Sequence, residues 1–288
     1  MAQKKLFRGI SIAAVTLGLF VLAFGCKKKN ETTTEDTSYA TDHIQAEKTF
    51  NDVEAISDQA NNNVTAGTGM GYRGTSETIG ACASVSHTGD SIIVDFGSTN
   101  CSCLDGRTRR GRIIVTYTGG SYATVGSSHT ISFDNYYVDD NHVEGHKTVT
   151  NVGDSAGHLT FHVTIDGTIT RTTGTVVHAV WNRERWWYQG DTTRTGTDDA
   201  YMVSGTGTVT RTPSGGSATT CTVTIPTTAP LVMAYGCRYV EAGTINYVLS
   251  TGATRSINFG TTPVCNNTAT VTWTTASGAT GSRDITLP

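Results

Sequence analysis

The sequence predicts an all-β protein: an antiparallel, meandering curved sheet or a β-sandwich, with one N-terminal helix packed on it. The 288-residue chain contains 53 Thr and 32 Gly but only 5 Pro. Thr favours strands, whereas Gly supplies turns and bulges. From about residue 79 onward, polar and apolar residues alternate with the period of two that half-buried strands require. Before that point, a single segment has helical spacing, and this combination predicts the fold class.

Residues 1–25 have the pattern of a bacterial lipoprotein signal peptide. Three basic side chains among the first eight residues precede an apolar run over residues 10–25, as in a secretory signal. The run ends in the sequence LAFGC, which resembles a lipobox and ends at Cys26. We therefore expect cleavage before Cys26 and its acylation, with chains such as palmitate holding the protein at a membrane. The alternative is an uncleaved anchor, for which the apolar run is slightly short.

The mature protein is predicted to be an outer-membrane or cell-surface protein. Lys27 follows the cysteine that is expected to be acylated. By resemblance to lipoproteins of Gram-negative bacteria, Lys at this position instead of Asp favours the outer membrane over retention at the inner membrane. Loss of residues 1–25 removes three positive charges and no acid, which shifts the formal net charge from −3 to −6. This charge argues against a nucleic-acid partner, whose phosphates require concentrated Lys and Arg.

The segments that follow are predicted to be a tether and a helix. Residues 26–40 are charged and polar and have almost nothing to bury, which is typical of a flexible tether. Over residues 41–62, apolar residues from Ala46 to Ala60 recur at helical spacing, and Thr41 or Asp42 can cap the helix. We expect one apolar face on this helix, which would cover a face or an edge of the sheet.

The β body is predicted to span residues 63–288. Clear alternation occurs in Ser91–Phe96, Arg112–Tyr117, His129–Tyr137, Leu159–Ile165 and Thr175–Trp181. A repeated unit beginning at Gly167, Gly207 and Gly243 suggests strands that leave tight turns. Asp139-Asp140-Asn141 is predicted to be a hairpin turn, and Gly residues inside other strands predict bulges.

The body cysteines indicate disulfides, because six remain in an exported chain once Cys26 is acylated. They are Cys82, Cys101, Cys103, Cys221, Cys237 and Cys265. Two segments share the order cysteine, strand, (Asp/Asn)-Phe-Gly, cysteine, strand. The similarity indicates either two duplicated parts, about 79–215 and 216–288, or a chance likeness between β segments. It favours disulfides between Cys82 and either Cys101 or Cys103, and between Cys237 and Cys265. Cys221 would then pair with whichever of Cys101 and Cys103 remains.

The sequence contains no motif that indicates catalytic residues, a metal site or a cofactor. The text around Ser204 lacks the first Gly of a nucleophile elbow. The carboxylate pairs Asp139/Asp140 and Asp198/Asp199 lie beside turn residues, where Asp caps its own backbone. His142 with His146, and His158 with His162, share a strand face but lack a third ligand, and Cys101-Ser-Cys103 lacks the second cysteine pair of a zinc site. We expect no enzymatic activity; the alternative is a hydrolase whose residues the sequence does not identify.

The most unusual segment is aromatic and lies over residues 180–190. It contains Trp181, Arg183, Glu184, Arg185, Trp186, Trp187 and Tyr188. One interpretation is a ligand platform, in which the rings stack on sugar faces and the charged residues bind hydroxyls. The other is a hairpin in which Trp181 and one of the neighbouring Trp pair fill the core beneath a charged turn. Alternation sends Trp186 and Trp187 to opposite faces of the sheet.

Three features together resemble outer-membrane or surface lipoproteins of Bacteroidota-type bacteria, a group with no established activity. They are the lipobox with its lysine-rich tether, residues 105–117 (DGRTRRGRIIVTY) and residues 265–272 (CNNTATVT). The resemblance implies an envelope location and a β fold. We expect a lipid-anchored, non-enzymatic protein with a binding or structural role, whose partners beyond the membrane are a glycan, a lipid or an envelope protein. The alternative is a dedicated glycan- or lipid-binding module.

Overall fold

A computed structural model describes residues 38–65, 82–120, 124–155, 157–190, 198–234 and 236–287. The signal peptide, Cys26 and the predicted tether up to residue 37 lie outside these residues. Residues 36–288 form one compact unit.

One helix and fifteen strands make up the described chain. The helix α1 is Ser38–Thr65. The strands are β1 Ser84–Thr88, β2 Ser91–Asp95, β3 Cys101–Ser102, β4 Thr108–Thr118, β5 Ser128–Val138, β6 Asn141–Ser155, β7 His158–Thr170, β8 Val176–Gln189, β9 Ala200–Thr212, β10 Thr219–Ile225, β11 Leu231–Ala234, β12 Thr244–Leu249, β13 Thr254–Asn258, β14 Thr268–Thr274 and β15 Thr280–Thr286.

The strands form a single open antiparallel sheet that follows the chain as a meander, as predicted. Its order is β1-β2-β4-β5-β6-β7-β8-β9-β10-β12-β13-β14-β15, while β3 pairs with β4 and β11 with β9. The predicted turn at Asp139 and Asp140 joins β5 to β6, and both residues have positive φ, 49° and 60°. The predicted bulges are present too. At Gly111, for example, φ is 81° and the register shifts between Arg110 and Arg112.

Helix α1 lies against the inner face of the sheet, which curves around it. Phe50, Val53 and Ile56 are fully buried with the inward residues of the strands. Side chains from β4, β5, β6, β8, β9 and β12 all contact this helix. The sheet makes room for it at Gly167 of β7, where an added Cβ would lie 2.3 Å from Cζ of Phe50.

The helix differs from the prediction in length and in burial. It extends beyond residues 41–62 at both ends, so residues 38–40 belong to the helix and not to the tether. Its polar side is also buried: Asp42, Glu47, Glu54 and Asp58 are each less than 8% exposed. The apolar face packs on the sheet as predicted, but the polar side is buried too, because the curved sheet supplies cations that pair with Asp42, Glu47 and Glu54.

Two strand predictions also need correction. Strand β8 runs without a break from Val176 to Gln189, so no hairpin turn lies at the charged residues 182–185. Gly167 and Gly207 lie inside β7 and β9, and only Gly243 directly precedes a strand. In the first two repeated units, the Gly therefore lies within a long strand. A side chain at either position would collide with an aromatic ring or with the backbone of a neighbouring strand.

The two cysteine-containing segments have the same local geometry near opposite ends of the sheet. In the first, the amide of Gly97 donates to Oδ1 of Asp95 at 2.8 Å. In the second, the amide of Gly260 donates to Oδ1 of Asn258 at 2.7 Å. The Phe between each pair is buried, and a disulfide closes each segment. The shared (Asp/Asn)-Phe-Gly sequence thus forms the same turn in both segments, in which the Asp or Asn side chain accepts a hydrogen bond from the Gly amide.

Candidate functional site

The main cluster of titratable groups lies between the helix and the middle of the sheet. Glu54 and Asp58 are one turn apart on α1, so their side chains share a face. His129 of β5, Lys147 of β6 and Arg185 of β8 face them because each occupies an inward position of its strand. We call these five residues the Glu54 cluster.

Glu54 is the centre of this cluster. Its Oε2 lies 3.2 Å from Nζ of Lys147. Its Oε1 lies 3.2 Å from Nε2 of His129 and 3.4 Å from Nη1 of Arg185. Lys147 also donates to the carbonyl oxygen of Phe50 at 3.0 Å. One carboxylate therefore joins β5, β6 and β8 to the helix.

The two acids of the cluster have opposite pKa shifts. Burial alone would raise the pKa of Glu54, but Lys147, His129 and Arg185 together hold it well below its ordinary value. Burial and the charge of Glu54 raise the pKa of Asp58 to about 7. Glu54 is therefore ionised at neutral pH, whereas Asp58 holds a proton until the pH approaches neutrality.

Three members of the cluster have the side-chain types of metal ligands. Ligand atoms of Glu54, Asp58 and His129 lie within 4.8 Å of one another, and this set could supply three ligands to zinc. However, Lys147 already pairs with Glu54, and the charge of Arg185 acts on both acids. A divalent cation would be placed beside two buried positive charges, so the arrangement suits a proton better than a metal. A second group, Cys237, Glu241 and Cys265, has both cysteine sulfurs in a disulfide.

Two small cavities lie beside the helix. One is lined by Tyr117, Gly120, Ser127, Ser128, His129, Val149, Asn151 and Phe161, and its empty volume is about 200 Å³. The other lies next to Cys221 and Tyr247 and has a similar volume. Both volumes include space that is open to solvent, and both fall below the roughly 300–1,000 Å³ of typical ligand pockets. Neither can hold a lipid chain or an oligosaccharide.

Further ion pairs join the helix to the sheet on the N-terminal side of Glu54. Asp42 accepts from Nε of Arg211 at 2.6 Å and also pairs with Arg171. Glu47 accepts from Nη2 of Arg183 at 2.8 Å. Burial opposes ionisation of Glu47, but Arg183 and His43 outweigh it and lower its pKa.

An acid near the middle of the helix makes the same kind of contact. Asp52 pairs with Arg107, which lies just before β4. Arg109 of β4, which is fully buried, donates to both oxygens of Asp105 at 2.9 and 2.6 Å. The helix is thus held by salt bridges from its first turns to its middle, in addition to apolar packing.

The aromatic segment is divided between the two faces of the sheet. Trp181, Arg183 and Arg185 point inward and are buried. The charged pair therefore binds the acids of α1 and cannot reach the hydroxyls of a ligand at the surface, which corrects that prediction. Trp187 packs against the core, and its Nε1 donates to Oδ1 of Asp199 at 3.2 Å. Alternation leaves Trp186 on the outer face, where it is half-buried, and Tyr188 is half-buried at the register shift between Trp187 and Gln189.

The cysteines pair in part as predicted. Disulfides join Cys82 to Cys101 and Cys237 to Cys265. Cys103 and Cys221 are buried free thiols, so the prediction of six disulfide-bonded cysteines was wrong. Cys221 faces the helix from β10, far along the chain from the other thiol.

The remaining candidate residues take part in structural contacts. Asp139 accepts from the amide of Thr108 at 2.9 Å, and Asp140 pairs with Arg110, so both carboxylates stabilise their turn. Asp199 is the buried partner of Trp187, while Asp198 lies just before β9. The pairs His142/His146 and His158/His162 lie on β6 and β7, and among the described residues neither joins a metal-binding group.

Sequence reasoning missed the buried charges. A usable signal was present at Lys147, which occupies an apolar position in the alternation of β6 between Val143 and Val149. A second signal was the basic residue at the end of two of the repeated units. These residues, Arg171 and Arg211, both form ion pairs with Asp42. Charged residues at inward strand positions indicate a buried partner of opposite sign.

The outer face of the sheet carries a row of short, uncharged polar side chains, one from each of twelve successive strands. The strand register pairs them directly in the order Ser91, Thr116, Thr130, Thr148, Thr164, Asn182, Thr206, Thr224, Asn246, Ser256, Thr272 and Ser282. Some members bond to each other, as Thr130 does to Thr148 at 3.0 Å between hydroxyl oxygens. We call this set the hydroxyl row, because ten of its twelve members are Ser or Thr.

Comparison with known proteins gives no match to a family model, to a curated protein or to a solved structure. Among the described residues, no helix has both the length and the apolarity needed to cross a bilayer.

Proposed function

We propose that this chain is a lipid-anchored envelope lipoprotein with a non-enzymatic role, structural or binding, at the outer membrane or cell surface. One observation carries the proposal: the concave side of the sheet, where a ligand or an active site would sit, is filled by the protein's own helix. Paired charges hold that helix in place. The surface that remains for contact is the outer face with its uncharged hydroxyl row.

The anchor rests on Cys26 and on the distance from it to the folded body. The helix begins at Ser38, and the intervening residues, if fully extended, reach about 40 Å. Acylation at Cys26 would therefore hold the β body close to the membrane while leaving it free to turn. The predicted tether contains the charged and polar sequence KKKNETTTED, which favours contact with water.

The anchor is tested by expressing the full chain and its Cys26→Ser variant in a Gram-negative host. We expect wild-type protein in the membrane fraction, labelled with an alkyne palmitate analogue and lacking residues 1–25 by intact mass. The Cys26→Ser variant should take up no label. A Cys221→Ser variant is the matched control, because its buried thiol has no part in anchoring. Unlabelled wild-type protein, or protein that retains residues 1–25, would refute the proposal.

A second candidate function is glycan binding, and the half-buried position of Trp186 on the outer face, with Tyr188 two residues further along β8, favours it. Half-exposed aromatic rings on a polar surface can stack on the apolar faces of sugars. Titration with envelope polysaccharides should then quench Trp fluorescence in wild-type protein and not in Trp186→Ala. Trp187→Phe, which alters the inner face, should keep the response. Absence of any response in wild-type protein would remove this candidate.

A further inference from the structure

Three cysteines meet at the start of β4. Cys82 and Cys101 form a disulfide, and the free thiol of Cys103 lies with its Sγ 3.0 Å from Sγ of Cys82. Only Ser102 separates the two candidate partners of Cys82. The spacing brings a thiol into contact with a disulfide, which is the arrangement that thiol–disulfide exchange requires.

The backbone holds Cys103 in this position. Its amide donates to the carbonyl oxygen of Arg107 at 2.8 Å, and its carbonyl oxygen accepts from the amide of Gly106 at 3.0 Å. Asp105 in the same turn holds the buried guanidinium of Arg109 through two hydrogen bonds. The contact between the sulfurs therefore arises from a tight turn anchored on β4, not from a loose chain end.

We propose that Cys82 exchanges its disulfide partner between Cys101 and Cys103. The thiolate of Cys103 attacks Sγ of Cys82, a Cys82–Cys103 bond forms, and the Cys82–Cys101 bond breaks. Cys101 leaves as a thiolate and takes up, through solvent, the proton that Cys103 released. The number of disulfides is unchanged, so the step needs no oxidant or reductant.

The two disulfides close loops of nearly equal size. The cysteines are 19 residues apart in one case and 21 in the other. Loop-closure entropy depends only on the logarithm of that length, so it does not favour either partner. We expect both forms to be populated, because Sγ of Cys103 already lies 3.0 Å from Sγ of Cys82 in the folded protein.

Exchange alters which thiol is accessible. Cys103 is 6% exposed, whereas Cys101 is half-buried in the short strand β3. Burial raises the pKa of Cys103, and the hydrogen bond and charge of Arg109 oppose that rise without cancelling it. Because the thiolate is the attacking species, exchange should accelerate as the pH rises. The product displays a thiol at Cys101, which can exchange with a small disulfide of the oxidised-glutathione class to form a mixed disulfide and release one small thiol.

The experiment maps the free thiol in the native full chain. Protein is held at pH 6.5 or 8.5, quenched with acid and then labelled with N-ethylmaleimide under denaturing conditions. After labelling, the disulfides are reduced. Cleavage before Asp90, Asp95 and Asp105 then separates the Cys82 peptide from the one that carries Cys101 and Cys103, and fragmentation of the latter locates the label. We expect label on both Cys101 and Cys103, and faster approach to that distribution at pH 8.5.

Two variants and one internal control make the result decisive. Cys101→Ser should form a Cys82–Cys103 disulfide, and Cys103→Ser should keep Cys82–Cys101 with no label on Cys101. When N-ethylmaleimide is instead applied to native protein, Cys221 reports unfolding, because its buried thiol should stay unlabelled while Cys101 reacts. Label confined to Cys103 in wild-type protein after prolonged incubation at pH 8.5 would overturn the proposal. So would Cys82 and Cys103 both remaining reduced in folded Cys101→Ser protein under oxidising conditions.

Discussion

The two faces of the sheet use similar ion pairs in different surroundings. On the outer face, Nε of Arg112 lies 2.8 Å from Oδ2 of Asp95, and the Arg112 side chain is 51% exposed. On the inner face, Nζ of Lys147 lies 3.2 Å from Oε2 of Glu54, and the Lys147 side chain is 3% exposed. Water and salt screen the outer pair. The inner pair is unscreened, and each of its charges depends on its partner for solvation that water would otherwise supply.

The buried charges of the inner face fix the position of the helix more than they add to its stability. A buried pair is a weak source of net stability, but the loss of one partner leaves a buried charge uncompensated. A shift of the helix along its axis would separate the buried acids of α1 from their cations. Because an uncompensated buried charge is costly, these acids favour one position of the helix on the sheet. Apolar packing drives the helix onto the sheet, and we infer that the charges determine its register.

The largest expected effect is that of Glu54→Gln. It leaves Lys147 and Arg185 buried beside a neutral amide, and the free energy of unfolding should fall by about 3–5 kcal/mol. Urea denaturation at pH 7 measures it. The double variant Glu54→Gln/Lys147→Met should recover part of the loss, because it removes one orphaned charge. A loss below about 1 kcal/mol in the single variant would mean that the inner face behaves like the outer one.

The next effect is a pH dependence that Asp58 contributes. Its folded pKa, about 7, exceeds its ordinary value of 3.8, so between these values the folded state binds a proton that the unfolded state lacks. This contribution is present at about pH 4 and is lost as the pH rises through 7, by about 2–4 kcal/mol. Asp58→Asn mimics the protonated acid and should flatten this slope between pH 5 and 8. Parallel stability curves for wild type and variant, from urea midpoints across that range, would contradict the assignment.

A smaller loss is expected from Gly167→Ala. The new methyl group would collide with the ring of Phe50 on the inner face, and overpacking of this kind costs about 1–3 kcal/mol. Thermal unfolding should show a lower midpoint for this variant. Thr168→Ala, whose side chain lies on the outer face next in sequence, is the matched control and should change stability by less than about 0.5 kcal/mol. Equal effects of the two substitutions would remove the distinction between the faces.

The smallest effect is expected from Arg112→Ala. The side chain lies between Asp95 and Asp134 on the outer face, and exposed pairs contribute about 0–1 kcal/mol. Its free energy of unfolding should stay within about 0.5 kcal/mol of wild type in 0.5 M salt. A loss comparable to that of Glu54→Gln would show that exposure does not separate the two kinds of pair.

Predictions from local patterns succeeded where one strand or turn decides the outcome. The alternation around Ile113 and Ile131, the turn at Asp139 and the pairing of Cys237 with Cys265 all follow from residues near in sequence. The prediction failed for β8, where Arg183 and Arg185 suggested a turn. Nothing local indicates that an Arg in that position has Glu47 or Glu54 opposite it, more than 130 residues away.

Sequence alone determined the all-β meander, the single helix and the alternation that places Thr on one face and Val and Ile on the other. These depend on backbone preference and on a period of two, both of which are local. Only the tertiary structure decided that the sheet curves around the helix, that the helix is buried on its polar side as well, and that Cys103 lies against a disulfide. The physical reason is that solvation of a charge and contact between sulfurs depend on the surroundings in space, and strands distant in sequence create those surroundings.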